Sequence, residues 1–215
     1  MKAIIYDFDG VLVDSVEIKQ LAFFKLFQAE GDRVAKLAYD YHLADNRNRF
    51  EVVNYMAAYL GKYEDYIERK LREFKDLVIG DIVSAREIPG SAEFIKATSD
   101  AGIMQFIVSG TPDKELLEIV EKRGWLDYFK ETYGTPTKKP HHIKTILDKH
   151  DLSPSDVLFV GDMESDYVAS HPLGLHFLGR SDDLSFPVDN VPVVKDFNGL
   201  DINQVLRLVR EHGNS

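Results

Sequence analysis

Asp7 and Asp9 stand two residues apart directly after Ala3-Ile4-Ile5-Tyr6, a short apolar run containing β-branched residues. Such a run reads as a buried strand, and two carboxylates at its end are costly to place for structure alone. Gly10 follows, a residue that lets the backbone leave the strand at dihedrals others resist. An aspartate at a strand tip can attack phosphorus and carry a covalent phosphoryl group. A second carboxylate two residues on can handle the proton of the leaving oxygen. The plainer alternative is a strand followed by an Asp-Gly turn, as any single pair of this kind would usually be.

Three further stretches end apolar runs in the same manner. Ile103–Val108 leads into Ser109-Gly110-Thr111-Pro112, where a hydroxyl and free amides at a helix entry suit a phosphate-sized anion. Thr111 as N-cap with Pro112 at the first helical position accounts for part of that pattern and leaves Ser109 and Gly110 unexplained. Val157–Val160 leads into Gly161-Asp162-Met163-Glu164-Ser165-Asp166, and Lys138-Lys139-Pro140 supplies positive charge before another helix. Taken alone, the lysine pair is more often a solvated loop. If the strands are parallel neighbours, Asp7, Asp9, Asp162 and Asp166 converge at one sheet edge. Two like charges about 4 Å apart repel by roughly 4 kcal/mol at an effective dielectric near 20. Four therefore need a cation, and an all-oxygen donor set favours Mg²⁺ over Zn²⁺.

The elements that would position these groups follow from periodicity. Ser15 can cap a helix that carries Ile18, Leu21, Ala22, Phe24, Leu26 and Phe27, and helical spacing persists to about Gly80 without proline. Ile88-Pro89-Gly90 breaks the pattern as a return hinge would. Beyond it helix and strand alternate, with strands at 103–108, near 132–133, at 157–160, at 175–178 and at 191–194, the last kept at an edge by Pro192. The expected fold is α/β, a Rossmann-like doubly wound parallel sheet over residues 1–14 and 88–215, with a helical subdomain inserted at 15–87. A net charge of −10 argues against nucleic acid or an anionic membrane as the main partner, while allowing a small anionic substrate. The chain has no cysteine, so no disulfide framework and no thiolate metal site. It shows neither a leader-like start nor an apolar run of spanning length, so a cytoplasmic location is expected.

Asp7-Phe8-Asp9-Gly10-Val11 with Asp14-Ser15, Ser109-Gly110-Thr111, Lys139-Pro140 and Gly161-Asp162 with Asp166 resemble, in order and spacing, the four motifs of the haloacid dehalogenase superfamily. The helical insertion resembles the small cap of its phosphoglycolate phosphatase and β-phosphoglucomutase branch. The resemblance spans nearly the whole chain and implies a Mg²⁺-dependent phosphatase acting on a small phosphorylated metabolite through an aspartyl-phosphate. It implies Asp7 as nucleophile and metal ligand, and Asp9 as general acid/base with its backbone carbonyl on the metal. Ser109 and the Gly110 amide would hold the phosphoryl oxygens, and Lys139 would neutralise charge between nucleophile and phosphate. Asp162 would be a direct metal ligand and Asp166 would hold metal-bound water, with Glu164 close enough in sequence to compete for that part. Asp9 argues against the dehalogenases, which lack this second carboxylate.

In that family the cap supplies substrate contacts, and the densest polar stretch of the insertion is Tyr41–Arg49, where Arg49 is the candidate for a distal substrate group. The alternative for this stretch is a solvated interhelical turn with Asn48 as its cap. His141 and His142, adjacent on a helix, point apart and suggest surface or packing roles. Trp125 is expected in the core or as a helix-end contact, and not as a substrate platform. Two rival functions share much of the pattern. A phosphomutase returns the phosphoryl group to a sugar, and a phospho-accepting receiver module pairs acidic residues with a lysine but lacks an inserted cap.

Overall fold

The protein is described here from a computed structural model covering residues 1–45 and 47–212. Strand β1 (Ala3–Tyr6) is buried at every position. It pairs in parallel with β2 (Met104–Pro112) on one side and β4 (Val157–Gly161) on the other. Outside β2 lies β3 (Glu131–Thr135), and outside β4 lie β5 (His176–Arg180) and β6 (Val193–Val194). The order β3-β2-β1-β4-β5-β6, parallel throughout, defines a Rossmann-like α/β sheet. The chain moves outward from β1 to β3, then returns to β1's other side at β4. Strand order therefore reverses beside β1, where open sheets leave a crevice at their carboxyl ends.

Register explains the core. Ile5 lies opposite Phe106 and Phe159, and Phe159 lies opposite Phe177, so these side chains share one face. Ile143 and Ile146 of α7 (Lys139–Lys149) complete that face. On the other face Tyr6 Oη donates to Gln105 Oε1 at 2.9 Å, and Thr98 Oγ1 donates to the same oxygen at 2.7 Å. A buried amide is thereby satisfied instead of costing free energy.

The chain forms two compact units, one of residues 1–14 and 86–215 and one of residues 15–85. Asp14 N–H donates to Arg86 O at 2.9 Å and Ile88 N–H to Leu12 O at 3.0 Å, so residues 86 and 87, expected with the insertion, are held in the first unit. The second unit is helical: α1 (Val16–Phe27), α2 (Asp32–Asp45), α3 (Arg49–Tyr59) and α4 (Glu64–Ser84). Within it the buried Lys70 ammonium donates to Leu26 O at 2.7 Å and pairs with Glu30 at 3.3 Å, tying α4 to the end of α1. The first unit adds α5 (Ser91–Asp100), α6 (Asp113–Lys122), α8 (Glu164–Ser170) and α9 (Ile202–His212). Among the described residues no helix is long and apolar enough to cross a membrane.

Several local expectations are corrected. Ser15 precedes α1, yet its side chain makes no cap hydrogen bond to it. Thr111 does not cap α6, because β2 continues through Pro112 and the helix starts at Asp113. The late strand expected over 191–194 is reduced to Val193–Val194. Pro192 has no N–H to give the ladder, though its carbonyl accepts from Gly179 N at 2.9 Å.

Candidate active site

Asp7 extends β1 by one rung, its N–H donating to Val160 O at 2.9 Å. The backbone then turns sharply, with Leu12 N–H reaching back to Phe8 O at 3.0 Å and Gly10 at a φ of +74°, as expected for glycine there. Asp7 is thus fixed at the crevice beside β1 and is only 7% exposed. Asp162 follows the last residue of β4, and Asp166 sits in the first turn of α8, fully buried. Asp7, Asp162 and Asp166 each bring a carboxylate oxygen within 4.8 Å of the others.

Lys139, the first residue of α7, reaches into this group. Its Nζ lies 2.6 Å from Asp166 Oδ1 and 3.0 Å from Asp7 Oδ1. The ammonium thus bridges the two carboxylates, and Asp162 Oδ1 is shut off from solvent without a donor. Neighbouring Lys138 is exposed, as is Glu164. Asp166 and not Glu164 therefore joins the acidic group, and its second oxygen accepts from Met163 N at 3.3 Å.

Asp9 points elsewhere. Its Oδ2 accepts from Thr111 Oγ1 at 3.2 Å and lies 3.4 Å from Ser109 Oγ. Ser109 Oγ in turn accepts from Thr111 N at 3.1 Å. The Asp9 carboxylate is therefore not among the three clustered acids. Gly110 lies in an irregular stretch of β2 and is exposed. Thr111 is the residue that sequence reasoning assigned to the wrong task. A buried hydroxyl facing an acid from a neighbouring strand cannot be told from an N-cap without the pairing of β1 with β2.

Arg49 lies in the helical unit. Asn48 does cap α3, in a reciprocal capping box with Glu51. Arg49 itself is 7% exposed, with its guanidinium 4.5 Å from the Phe74 ring centroid, so the solvated-turn alternative does not describe it. Asn46, in the same polar stretch, lies outside the described residues. Trp125 is buried, with Phe8 against its edge. His141 is exposed, whereas His142 is buried with its Nε2 2.8 Å from Gly134 O.

The electrostatics follow from burying like charges together. Burial pushes the Asp7 carboxyl up; Lys139 pulls it down while Asp166 and Asp9 push it further, and it settles at about 7. Burial, then Asp7 and Asp166, hold Asp162 well above the usual carboxylate range. For Lys139 burial works against the charge, but Asp166 and Asp7 outweigh it and keep the ammonium firmly protonated. A buried Asp162 oxygen without a donor, three acids in reach of one point and no sulfur or histidine among them fit a hard divalent cation such as Mg²⁺.

Without a divalent cation, folded Asp7 keeps its proton between about pH 4 and pH 7, while the unfolded chain has lost it. The folded state binds more protons there, so this group's contribution to stability falls as pH rises through that window. The Tm of Asp7→Asn minus that of the wild type, measured in chelator, should therefore grow from pH 4 to pH 7. A difference that stays flat or shrinks would contradict the burial-driven shift.

A model of the haloacid dehalogenase-like hydrolases matches residues 4–179. The chain is similar to a phosphoglycolate phosphatase of Vibrio vulnificus (strain YJ016), 31% identical over 96 residues, and this match spans only 42% of each chain. Among solved structures, a predicted phosphoglycolate phosphatase from Haemophilus somnus aligns at a TM-score of 0.73 and 22% identity, over 96% of this chain and 98% of that one. A β-phosphoglucomutase from Clostridium difficile aligns at 0.75 and 17% identity, over the whole of both chains. At such identities the structural likeness establishes the fold. With the family match covering most of the sequence, it follows that this chain belongs to the haloacid dehalogenase-like hydrolase family.

Proposed function

We propose that the protein is a Mg²⁺-dependent phosphatase that hydrolyses a small phosphomonoester, a sugar phosphate or related metabolite, through an aspartyl-phosphate. The observation that carries this reading is Asp7, a buried carboxylate at the tip of β1 held 3.0 Å from the Lys139 ammonium and gathered with Asp162 and Asp166. In the first step an Asp7 oxygen bonds to phosphorus as the ester P–O bond breaks, and Asp9 gives its proton to the leaving alkoxide. In the second, Asp9 takes a proton from water, which attacks phosphorus and releases Asp7 and inorganic phosphate. The Thr111 and Ser109 hydroxyls orient the Asp9 carboxylate. Ser109 and the Gly110 amide receive the phosphoryl oxygens, and Lys139 balances their charge. Asp7, Asp162 and Asp166, with the Asp9 backbone carbonyl, would hold Mg²⁺, which supplies further neutralisation of the phosphoryl group.

Release of phosphate from a panel of phosphorylated metabolites, phosphoglycolate and hexose phosphates among them, tests this directly. One or a few small esters should stand well above the rest, and no turnover of any ester in Mg²⁺ would refute the reading. Adding a bisphosphate primer and following sugar-phosphate isomers separates hydrolysis from phosphomutase activity. Arg49 is the proposed contact for the substrate's distal group. Arg49→Ala should lower kcat/KM for the best substrate about ten- to a hundredfold, the worth of a charge-assisted contact of roughly 1.5–3 kcal/mol, and spare a minimal aryl phosphate. Equal losses on both would assign Arg49 to packing against Phe74 instead.

A further inference from the structure

One helical turn beyond Lys139, the buried His142 ring meets the tip of β3. Its Nε2 is 2.8 Å from Gly134 O, and because a carbonyl can only accept, that nitrogen carries the proton and donates. The N–H of the same residue is also engaged, since it donates to Asp113 Oδ1. Asp113 is the first residue of α6, directly after Ser109-Gly110-Thr111-Pro112. Gly134 has no room for a side chain: a Cβ there would fall 2.1 Å from Thr111 O and 2.6 Å from Asp113 N. Thr135 Oγ1 adds a bond to Gly110 O at 3.3 Å. The tip of β3 is thus pressed against the backbone of the Ser109–Thr111 stretch and bonded to the side chain that opens α6.

What this joint holds on its other side is the start of α7. Residues three apart lie on one helix face, so His142 anchors the turn from which Lys139 projects. That turn has no side-chain cap, because Lys138 at the N-cap position makes none. Lysine is a flexible four-carbon stem, and where its ammonium sits depends on where its helix begins. Tyr133 packs its ring on His142 at 4.9 Å between centroids, which orients the imidazole toward the carbonyl.

We propose that His142 is a positioning residue for Lys139, and that with Asp113, through Gly134, it fixes the distance between Lys139 and the Ser109–Thr111 stretch. The kinetic consequence rests on the phosphatase reading above; the geometric one does not. Four proteins test it, wild type, His142→Phe, His142→Gln and Asp113→Ala, each by crystal structure and by kinetics with an aryl phosphate in Mg²⁺. Phe keeps the ring contact with Tyr133 and removes the donor, whereas the Gln amide can donate to Gly134 O. His142→Phe and Asp113→Ala should each lower kcat about tenfold with KM within about twofold, since a displacement on the order of 1 Å can cost that much or more. In both crystals Lys139 Nζ should leave the hydrogen-bonding range of Asp166. His142→Gln should recover most of kcat and the lysine's position. Asp113→Ala decides the matter alone if the His142 variants do not fold. Lys139 unmoved in the His142→Phe and Asp113→Ala crystals, or Gln as impaired as Phe, overturns the proposal. A wild type inactive on every ester overturns the phosphatase reading instead, and the crystals still decide the joint.

Discussion

Replacing Asp7 by Asn should abolish turnover, with a loss of at least about a thousandfold, and should eliminate covalent phosphoryl transfer to the protein. Asparagine keeps the shape and can still sit beside Lys139, so the fold is not the variable. A carboxamide oxygen is too weak a nucleophile to displace an alkoxide from phosphorus. The check is an acid quench after mixing with a labelled ester: wild type should carry label and Asp7→Asn should carry none. Asp9→Asn offers the contrast. It removes the proton donor of the first step and the base of the second, so both slow, while label already on Asp7 should persist. Label on Asp7→Asn at wild-type yield would reassign the nucleophile.

Chelation should remove activity completely, and Mg²⁺ should restore it while also stabilising the fold. Three buried or half-buried carboxylates gathered within 4.8 Å, with Asp162 Oδ1 lacking a donor, destabilise the folded chain in the absence of a cation. An ion that binds only the folded state at about a hundred times its Kd adds roughly 2.7 kcal/mol. For a chain of this size that is on the order of 5–10 °C in Tm. Asp162→Asn should lose both the activation and most of the Tm increase. Ca²⁺ should raise Tm yet support turnover poorly, because its larger and more variable coordination relaxes in-line geometry. Full activity in excess chelator, or no Tm response to Mg²⁺, would sink the metal claim.

The strands and their acidic tips were legible in the sequence because each is a local signal, although Asp9, expected to converge with Asp7, Asp162 and Asp166, turns to Thr111 instead. A β-branched apolar run ending in Asp-x-Asp-Gly states both a strand and its tip. What was not legible depends on pairings between distant stretches. Asp9 and Thr111 are 102 positions apart, and only the parallel pairing of β1 with β2 makes Thr111 a partner of Asp9 instead of a helix cap. The choice between Glu164 and Asp166 needed the direction of α8's first turn, which buries one and exposes the other. His142 was read as a surface or packing residue, and nothing local indicates that the tip of β3 presents it with a carbonyl. Arg49 follows a correctly read cap, yet its burial against Phe74 depends on how α3 meets α4.

The position of β1 in the sheet also bears on how the chain is made. The strand at the sheet's centre is synthesised before either neighbour: it ends at Tyr6, and its partners begin at Met104 and Val157. At ribosomal rates of roughly 5–20 residues per second, a gap on the order of 100 residues leaves β1 without a partner for about 5–20 s. Helices form in microseconds, so those between Val16 and Ser84 can form while Ala3–Tyr6 waits as an unpaired apolar strand. Nascent chains halted between the insertion and β2 should expose that strand to chaperones, and release past β4 should end the exposure. The order of synthesis thus leaves the central strand waiting on partners that are made later.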